Sequence, residues 1–260
     1  MAAEPFFLVG CVRSGTTMLR NLLRCHPNLA CPEETHFYRW GEPMGTEGLR
    51  RMLSTNPVLR QHRRIDGIWE EEFLRMLDRS ASRPDLYERY MQRYIGRNKP
   101  QATRWFDKTP QNVYGAMLMA CSMPQARFVN IVRNPLNVVA SLRLGKVMKV
   151  ESLQGAINYW TEAEHIMRGL KHAFPERVLE MRYEDLMADV STHTQRLLAF
   201  LGEPHDPAWF AGFALSPSDH RDAEVLSPEE TLTVQQACQA GMRRHGYLSD
   251  LDGGNAKTAA

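Results

Sequence analysis

The sequence has little that would make a disulfide framework or a metal centre. Its five cysteines, Cys11, Cys25, Cys31, Cys121 and Cys238, are odd in number and none stands in a C-x-x-C pair. Nine histidines are scattered with no H-E-x-x-H or comparable ligand spacing, so no metal site is expected. No apolar run reaches the length of a spanning helix, and Met1 to Pro5 lack the cationic and apolar regions of a signal peptide. A soluble, cytoplasmic protein with reduced thiols is the expectation. An excess of one charge is missing as well. With 32 Lys plus Arg against 30 Asp plus Glu, the chain is not built to coat nucleic acid or an anionic membrane, and any basic site must be local. Internal repeats and low-complexity segments are also lacking.

What is present is ordinary globular composition, 43% hydrophobic and 24% charged over 260 residues, enough for one large domain with a full core. Phe6-Phe7-Leu8-Val9-Gly10 is a short apolar run ending in a turn residue, as expected of a buried parallel strand. Met18, Leu19, Leu22 and Leu23 follow at helical spacing, with Pro27 closing that helix. Residues 41–100 are charged and turn-rich, with helical patches at Trp69 to Leu77 and Leu86 to Tyr94, and read as a helical insertion. Helix is also expected over Val113 to Cys121, strand over Arg127 to Val132, and a new helix from Asn134-Pro135, since Asn is a favoured N-cap and Pro a favoured first residue. A long helix from Leu153 to His172, a strand over Val178 to Met181 and one amphipathic helix from Leu186 to Leu201 continue the alternation. Ser227-Pro228-Glu229-Glu230 is a capping box launching the last helix, and residues 249–260 read as a disordered tail. Strand and helix alternating in this way predict an α/β fold: three α/β/α layers, P-loop-like, with a central parallel sheet, in one domain over residues 1–248.

The turn Gly10-Cys11-Val12-Arg13-Ser14-Gly15-Thr16-Thr17 joins the first strand to the first helix. Such a turn aims several backbone N–H groups at one anion beside the positive end of the helix. It has the outline of the Walker loop G-x-x-x-x-G-K-[ST], but Thr16 stands where the lysine belongs, which argues against a conventional ATP or GTP site. A plain βα turn capped by hydroxyls is the structural alternative.

Arg13-Ser14-Gly15-Thr16-Thr17 resembles the 5′-phosphosulfate loop of sulfotransferases that use 3′-phosphoadenosine-5′-phosphosulfate (PAPS). Arg133-Asn134-Pro135, with Ser141 eight residues after the arginine, is similar to the family's 3′-phosphate element. Arg182-Tyr183-Glu184-Asp185-Leu186 resembles its R-Y-E-D-L segment, which makes Tyr183 a neighbour of the adenine, and Met242 to Tyr247 resembles its C-terminal ending. His26-Pro27-Asn28 and Glu33-Glu34-Thr35 are most like the tyrosylprotein sulfotransferase branch and its bacterial relatives. The resemblance implies PAPS as donor, PAP as product, no metal, and an acceptor hydroxyl on a small molecule, glycan, lipid or peptide. It implies donor binding by Arg13, Ser14, Gly15, Thr16, Thr17, Arg133, Ser141 and Tyr183, with Arg13, Lys108 and Glu34 as the catalytic groups.

Glu34 is the implied base, and it would suit that task near neutral pH if partial burial raised its pKa. Glu33 and His36 compete for the role, whereas His26 reads as a helix-end residue bonded to carbonyls. A solvated Lys108 paired with Asp107 is the bland alternative. The basic run Arg60-Gln61-His62-Arg63-Arg64, beside Arg50 and Arg51, reads as a solvated helix face or a lure for an acidic acceptor. Tyr38, Trp40, Trp69, Tyr90 and Tyr94 are candidates for an acceptor pocket or for core. Ser216, Ser218 and His220 are candidates to return to the donor site. A P-loop kinase or NTPase, and a protein that binds 3′-phosphoadenosine nucleotides without turnover, remain the competing readings.

Overall fold

The computed structural model describes residues 4–145, 148–214 and 225–248. Ser216, Ser218, His220 and the 249–260 tail lie outside the described residues. Five parallel strands form one sheet: β1 (Phe6–Val9), β2 (Leu29–Ala30), β3 (Arg104–Lys108), β4 (Arg127–Val132) and β5 (Val178–Arg182), in the order β2-β3-β1-β4-β5. Leu8 of β1 pairs with Lys108 on one side and Val129 on the other.

Alternation along β1 and β4 splits the interior into two cores. Phe6, Leu8, Val129 and Ile131 face α1 (Thr16–Arg24), α9 (Tyr183–Ala188) and α10 (Val190–Leu201). Phe7, Val9, Phe128 and Val132 face the other layer, made by α2 (Glu47–Thr55), α3 (Pro57–Ile65), α4 (Glu70–Arg79), α5 (Arg83–Asn98), α6 (Ala116–Ser122), α7 (Pro135–Leu144), α8 (Leu153–Ala173) and α11 (Pro228–Arg244). The period of two in a pleated strand is what sends neighbouring side chains to opposite layers. Residues 47–98 therefore carry four helices, α2 to α5, between β2 and β3.

From β1 the chain runs out to β2 and back to β3 on one side, then crosses β1 to reach β4 and β5 on the other, so the connections change direction there. In open α/β sheets that reversal opens a crevice beyond the carboxyl ends of the strands. The loops after β1, β3, β4 and β5 all leave from that end, and they carry the candidate residues.

Three local expectations need correction. β2 and β3 were not anticipated: β2 has two residues, and β3 reads Arg-Trp-Phe-Asp-Lys, with charges where a buried strand should be apolar. Arg104 is buried because its guanidinium bonds the Leu201 carbonyl at 2.6 Å and pairs with Glu203 at 3.2 Å. The helix expected over Leu186 to Leu201 is two, broken at Asp189, whose side chain accepts the Thr192 amide and caps α10. The helix expected from Val113 begins as a 3₁₀ turn, Pro110–Gly115, before α6. No helix among the described residues is long and apolar enough to cross a membrane.

Candidate active site

The loop after β1 is held in a shape that few side chains permit. Gly10 has φ 131°, and a Cβ there would stand 2.7 Å from the Ile131 carbonyl oxygen. At Gly15, φ 91°, a Cβ would lie 2.4 Å from the Tyr183 ring, so glycine is what lets the ring lie against the loop. Arg13, between them, also sits at positive φ, 69°. The first bond within α1 is Leu19 N to Gly15 O at 3.1 Å, which leaves the amides before it without helical carbonyls. No acidic residue stands in this first turn to occupy them.

Four distant segments converge on the loop. Arg13 Nε donates to Ser141 Oγ at 3.0 Å. Arg133 Nη1 donates to the Arg13 carbonyl at 3.2 Å, and its guanidinium lies 4.8 Å from the Tyr183 ring centroid. Arg133 is 3% exposed, yet its Nε and Nη2 have no partner among the described residues, nor does the buried Ser14 Oγ. Leaving a buried guanidinium partly unpaired is costly, so these donors mark a place for an anion. The surroundings fix it firmly. Trp160 Nε1 donates to the Arg133 carbonyl at 2.9 Å, and Glu184 accepts the Asn134 amide at 2.9 Å and the Tyr247 hydroxyl at 2.6 Å. The Asn134 side chain caps α7 through the Leu136 amide, and Ser141 lies buried on that helix.

On the other side of the loop, the Lys108 ammonium, 2% exposed, bonds Glu34 Oε1 and, at 3.2 Å, Thr17 Oγ1. His36 Nε2 approaches Glu34 Oε2 at 3.4 Å. Burial opposes ionisation of Glu34, but the His36 hydrogen bond and the Lys108 charge prevail and hold its pKa at about 2. The condition under which Glu34 would suit a base near neutral pH, a pKa raised by burial, is therefore not met here: His36 and the cation beside it decide. Burial keeps the His36 imidazole below its usual range, hence neutral and able to donate from Nε2.

The other local candidates are placed elsewhere. Glu33 turns away to Arg20, at 2.7 Å, and Arg24, at 3.2 Å. Asp107 is not the partner of Lys108, because adjacent strand residues face opposite sides. It is buried, accepts from Tyr87, Asn112 and Thr109, and burial lifts its pKa to about 6. The Thr35 amide in turn donates to Thr109 Oγ1 at 2.9 Å, so this carboxyl ties the Glu34 loop to the end of β3. His26 contacts a carbonyl, that of Pro204 at 2.9 Å, rather than the cleft.

A cavity of about 330 Å³ opens in front of the loop, with Arg13, Thr17, Glu34, His36 and Arg39 on its polar side and Val58, Leu59 and Met148 on its apolar side. None of Tyr38, Trp40, Trp69, Tyr90 and Tyr94 lines it; Tyr38 and Tyr90 are core and Trp69 is 61% exposed. The basic run is mostly a solvated helix face, with Arg60, Gln61 and Arg64 exposed, as is Arg51 beside it, but two of its members turn inward. Arg63 is buried against Glu70 at 2.7 Å, and His62 Nδ1 lies 3.0 Å from the Glu34 carbonyl, which orients the Glu34 backbone. Arg39 carries no signal in the sequence, and the parts His62 and Asp107 play in holding the Glu34 loop show only in their packing.

Comparison with known proteins identifies the family and the fold. A family profile described as "Sulfotransferase family" matches residues 5–207. The chain is 26% identical over 237 residues to Protein-tyrosine sulfotransferase 1 of Danio rerio, an alignment covering 85% of this chain and 62% of that protein. Among solved structures, the sulfotransferase domain of the Synechococcus PCC 7002 olefin synthase superposes with TM-score 0.66 at 20% identity, covering 92% of this chain and 94% of that one. A mouse sulfotransferase complexed with PAP gives TM-score 0.56 at 13% identity, covering 94% of this chain and 85% of that one. With a phosphate-type loop, a buried arginine behind it and a profile match across most of its length, the chain belongs to the sulfotransferase family.

Proposed function

We propose that the protein transfers a sulfuryl group from PAPS to an acceptor hydroxyl by in-line displacement. The observation that carries this reading is Arg133, a buried guanidinium with two nitrogens that have no partner among the described residues, behind a loop whose helix start carries no acid. These residues fit a nucleotide with two anionic ends. Arg133 and Ser141 would hold the 3′-phosphate, Tyr183 would neighbour the adenine, and residues 13–17 would receive the 5′ end. The mouse neighbour solved with PAP supports this donor. Bound PAPS supplies the sulfuryl group and a phosphate leaving group.

The chain's own residues would meet the remaining needs of the reaction. Arg13 and the loop amides stabilise charge building on the leaving side, as donors aimed in advance at developing charge do. Lys108 stands between that side and the acceptor side, and Glu34 accepts the acceptor's proton. The acceptor enters the cavity lined by Val58, Leu59 and Met148. The zebrafish relative is named for protein tyrosine; for this chain the acceptor class is a hydroxyl on a small molecule, glycan, lipid or peptide. All five cysteines are free thiols, which fits the reducing cytoplasm.

Calorimetry with PAP and, separately, magnesium ATP tests the reading. Wild type is expected to bind PAP and to lose roughly 100-fold in affinity in Arg133→Ala, the cost of a charged hydrogen-bond partner, with a smaller loss in Ser141→Ala. Binding of ATP with no preference for PAP would overturn it in favour of a P-loop kinase.

A further inference from the structure

One ammonium stands between the two halves of the proposed reaction. Lys108 is committed to Glu34 Oε1 on the acceptor side and to Thr17 Oγ1, in the first turn of α1, on the donor side. Its side chain is 2% exposed while that of Glu34 is 25% exposed. Water therefore does little to screen the pair on the lysine side, and in this state Glu34 is a poor base with both oxygens engaged.

Resting on the PAPS reading above, we propose that Lys108 is a donor-operated gate on the base. A nucleotide 5′-phosphate at the loop draws the ammonium off Glu34 Oε1, and only then is that oxygen free to take the acceptor's proton. Thr17 Oγ1 gives the ammonium a partner on the donor side, so the change is a short pivot rather than a rebuilding of the loop. His36 stays on Oε2 and keeps the carboxylate aimed. The other charged or titratable groups facing Glu34 do not supply the gate. His62 from α3 bonds only its carbonyl, Arg13 and Arg39 line the cavity without bonding the carboxylate, and Asp107 lies on the far face of β3.

In the step that follows, the acceptor oxygen bonds to sulfur while its proton passes to Glu34 Oε1. The bond from sulfur to the bridging oxygen breaks, and its electron pair stays on the nucleotide phosphate, which Lys108 now faces. Opposite demands are thus met in sequence by one cation: it silences the base in the free enzyme and stabilises the leaving group in the loaded one.

Carboxyl-detected NMR of ¹³C-glutamate-labelled protein, with Glu34 assigned by comparison with Glu34→Gln, reads the gate without turnover. In the free enzyme Glu34 is expected to stay ionised down to about pH 4, and saturating PAP to raise its midpoint by at least about one pH unit, a tenfold change in proton affinity. In Lys108→Met the midpoint is expected to be raised already, with little added by PAP. An unmoved midpoint with PAP bound would overturn the gate alone, and so would an equal rise in both proteins, which assigns the shift to the nucleotide's own charge. Failure of PAP to bind by calorimetry would overturn the donor reading and the gate with it. If Lys108→Met does not fold, the wild-type Lys108 Nζ resonance serves instead: it is expected to shift on PAP addition, and constancy would overturn the gate.

Discussion

Arg13 and His36 are the two non-glycine residues at positive φ among the described residues, at 69° and 57°. Both line the cavity in front of the loop. Backbone held in so sparsely populated a region costs about 1–3 kcal/mol per residue and persists where the surroundings enforce it. At this scale the loop side of the proposed donor site was legible in the sequence. Gly10, Arg13, Gly15 and Arg133 would act there through backbone shape or permanent charge, which residue type alone conveys. The acceptor side was not, because the ionisation of Glu34 is set by Lys108 and His36, and only the fold shows how close they stand. Two expectations belong here. Glu34→Gln should lower turnover about 10²- to 10⁴-fold, the usual worth of a positioned base, while PAP affinity measured by calorimetry should rise about tenfold, because a neutral side chain no longer holds Lys108 and linkage makes the two effects reciprocal; turnover near wild type would remove Glu34 from the mechanism. Gly15→Ala should weaken PAP binding at least as much as Ser141→Ala, since its methyl would stand 2.4 Å from Tyr183. Unchanged affinity would show that the loop and ring are free to part.

Among elements, α7 begins where local capping chemistry adjoins the proposed donor site. Asn134 caps it, Pro135 opens it, and the cap adjoins Arg133. That boundary was readable because capping preferences are local. By contrast β3 was hidden, since Arg104, Asp107 and Lys108 are buried by partners from distant segments, and no periodicity announces them. The break between α9 and α10 was missed for a related reason: Asp189 serves as a cap inside a stretch whose apolar residues fit one helix. Asn134→Ala is expected to cost about 1 kcal/mol in chemical denaturation, typical of a lost N-cap, and to weaken PAP binding as well, because the cap holds the peptide that follows Arg133. Loss of stability with full PAP affinity would separate the helix start from the site.

Across the whole molecule, the parallel sheet brings the loops after β1, β3, β4 and β5 to one end and the change of connection direction opens a crevice there; alternation of strand and helix made that architecture legible. The buried network behind the site was not foreseeable, and it carries a pH signature. Burial raises Asp107 from 3.8 to about 6, so the folded state favours its protonated form. Its contribution to stability is fully present below the unfolded value, about 3.9, and is lost as pH rises through about 6. The stability of wild type relative to Asp107→Asn should therefore be greater at about pH 5 than at about pH 8. A difference independent of pH, by denaturation at both values, would mean that Asp107 ionises as freely as in the unfolded chain. Comparing the two proteins removes the opposing effect of the buried histidines His26 and His36, whose lowered pKa values destabilise the fold as pH falls.

The proposed donor site turns on the buried Arg133 guanidinium behind the loop reading a 3′-phosphate. Its most direct test is a cycle of four affinities, PAP and adenosine 5′-phosphate on wild type and on Arg133→Ala. Wild type should prefer PAP by roughly two orders of magnitude, as expected for a charged, buried contact, and the preference should collapse to within a few-fold in the variant. Equal binding of the two nucleotides by wild type, or a preference that survives the substitution, would contradict the assignment of the donor site.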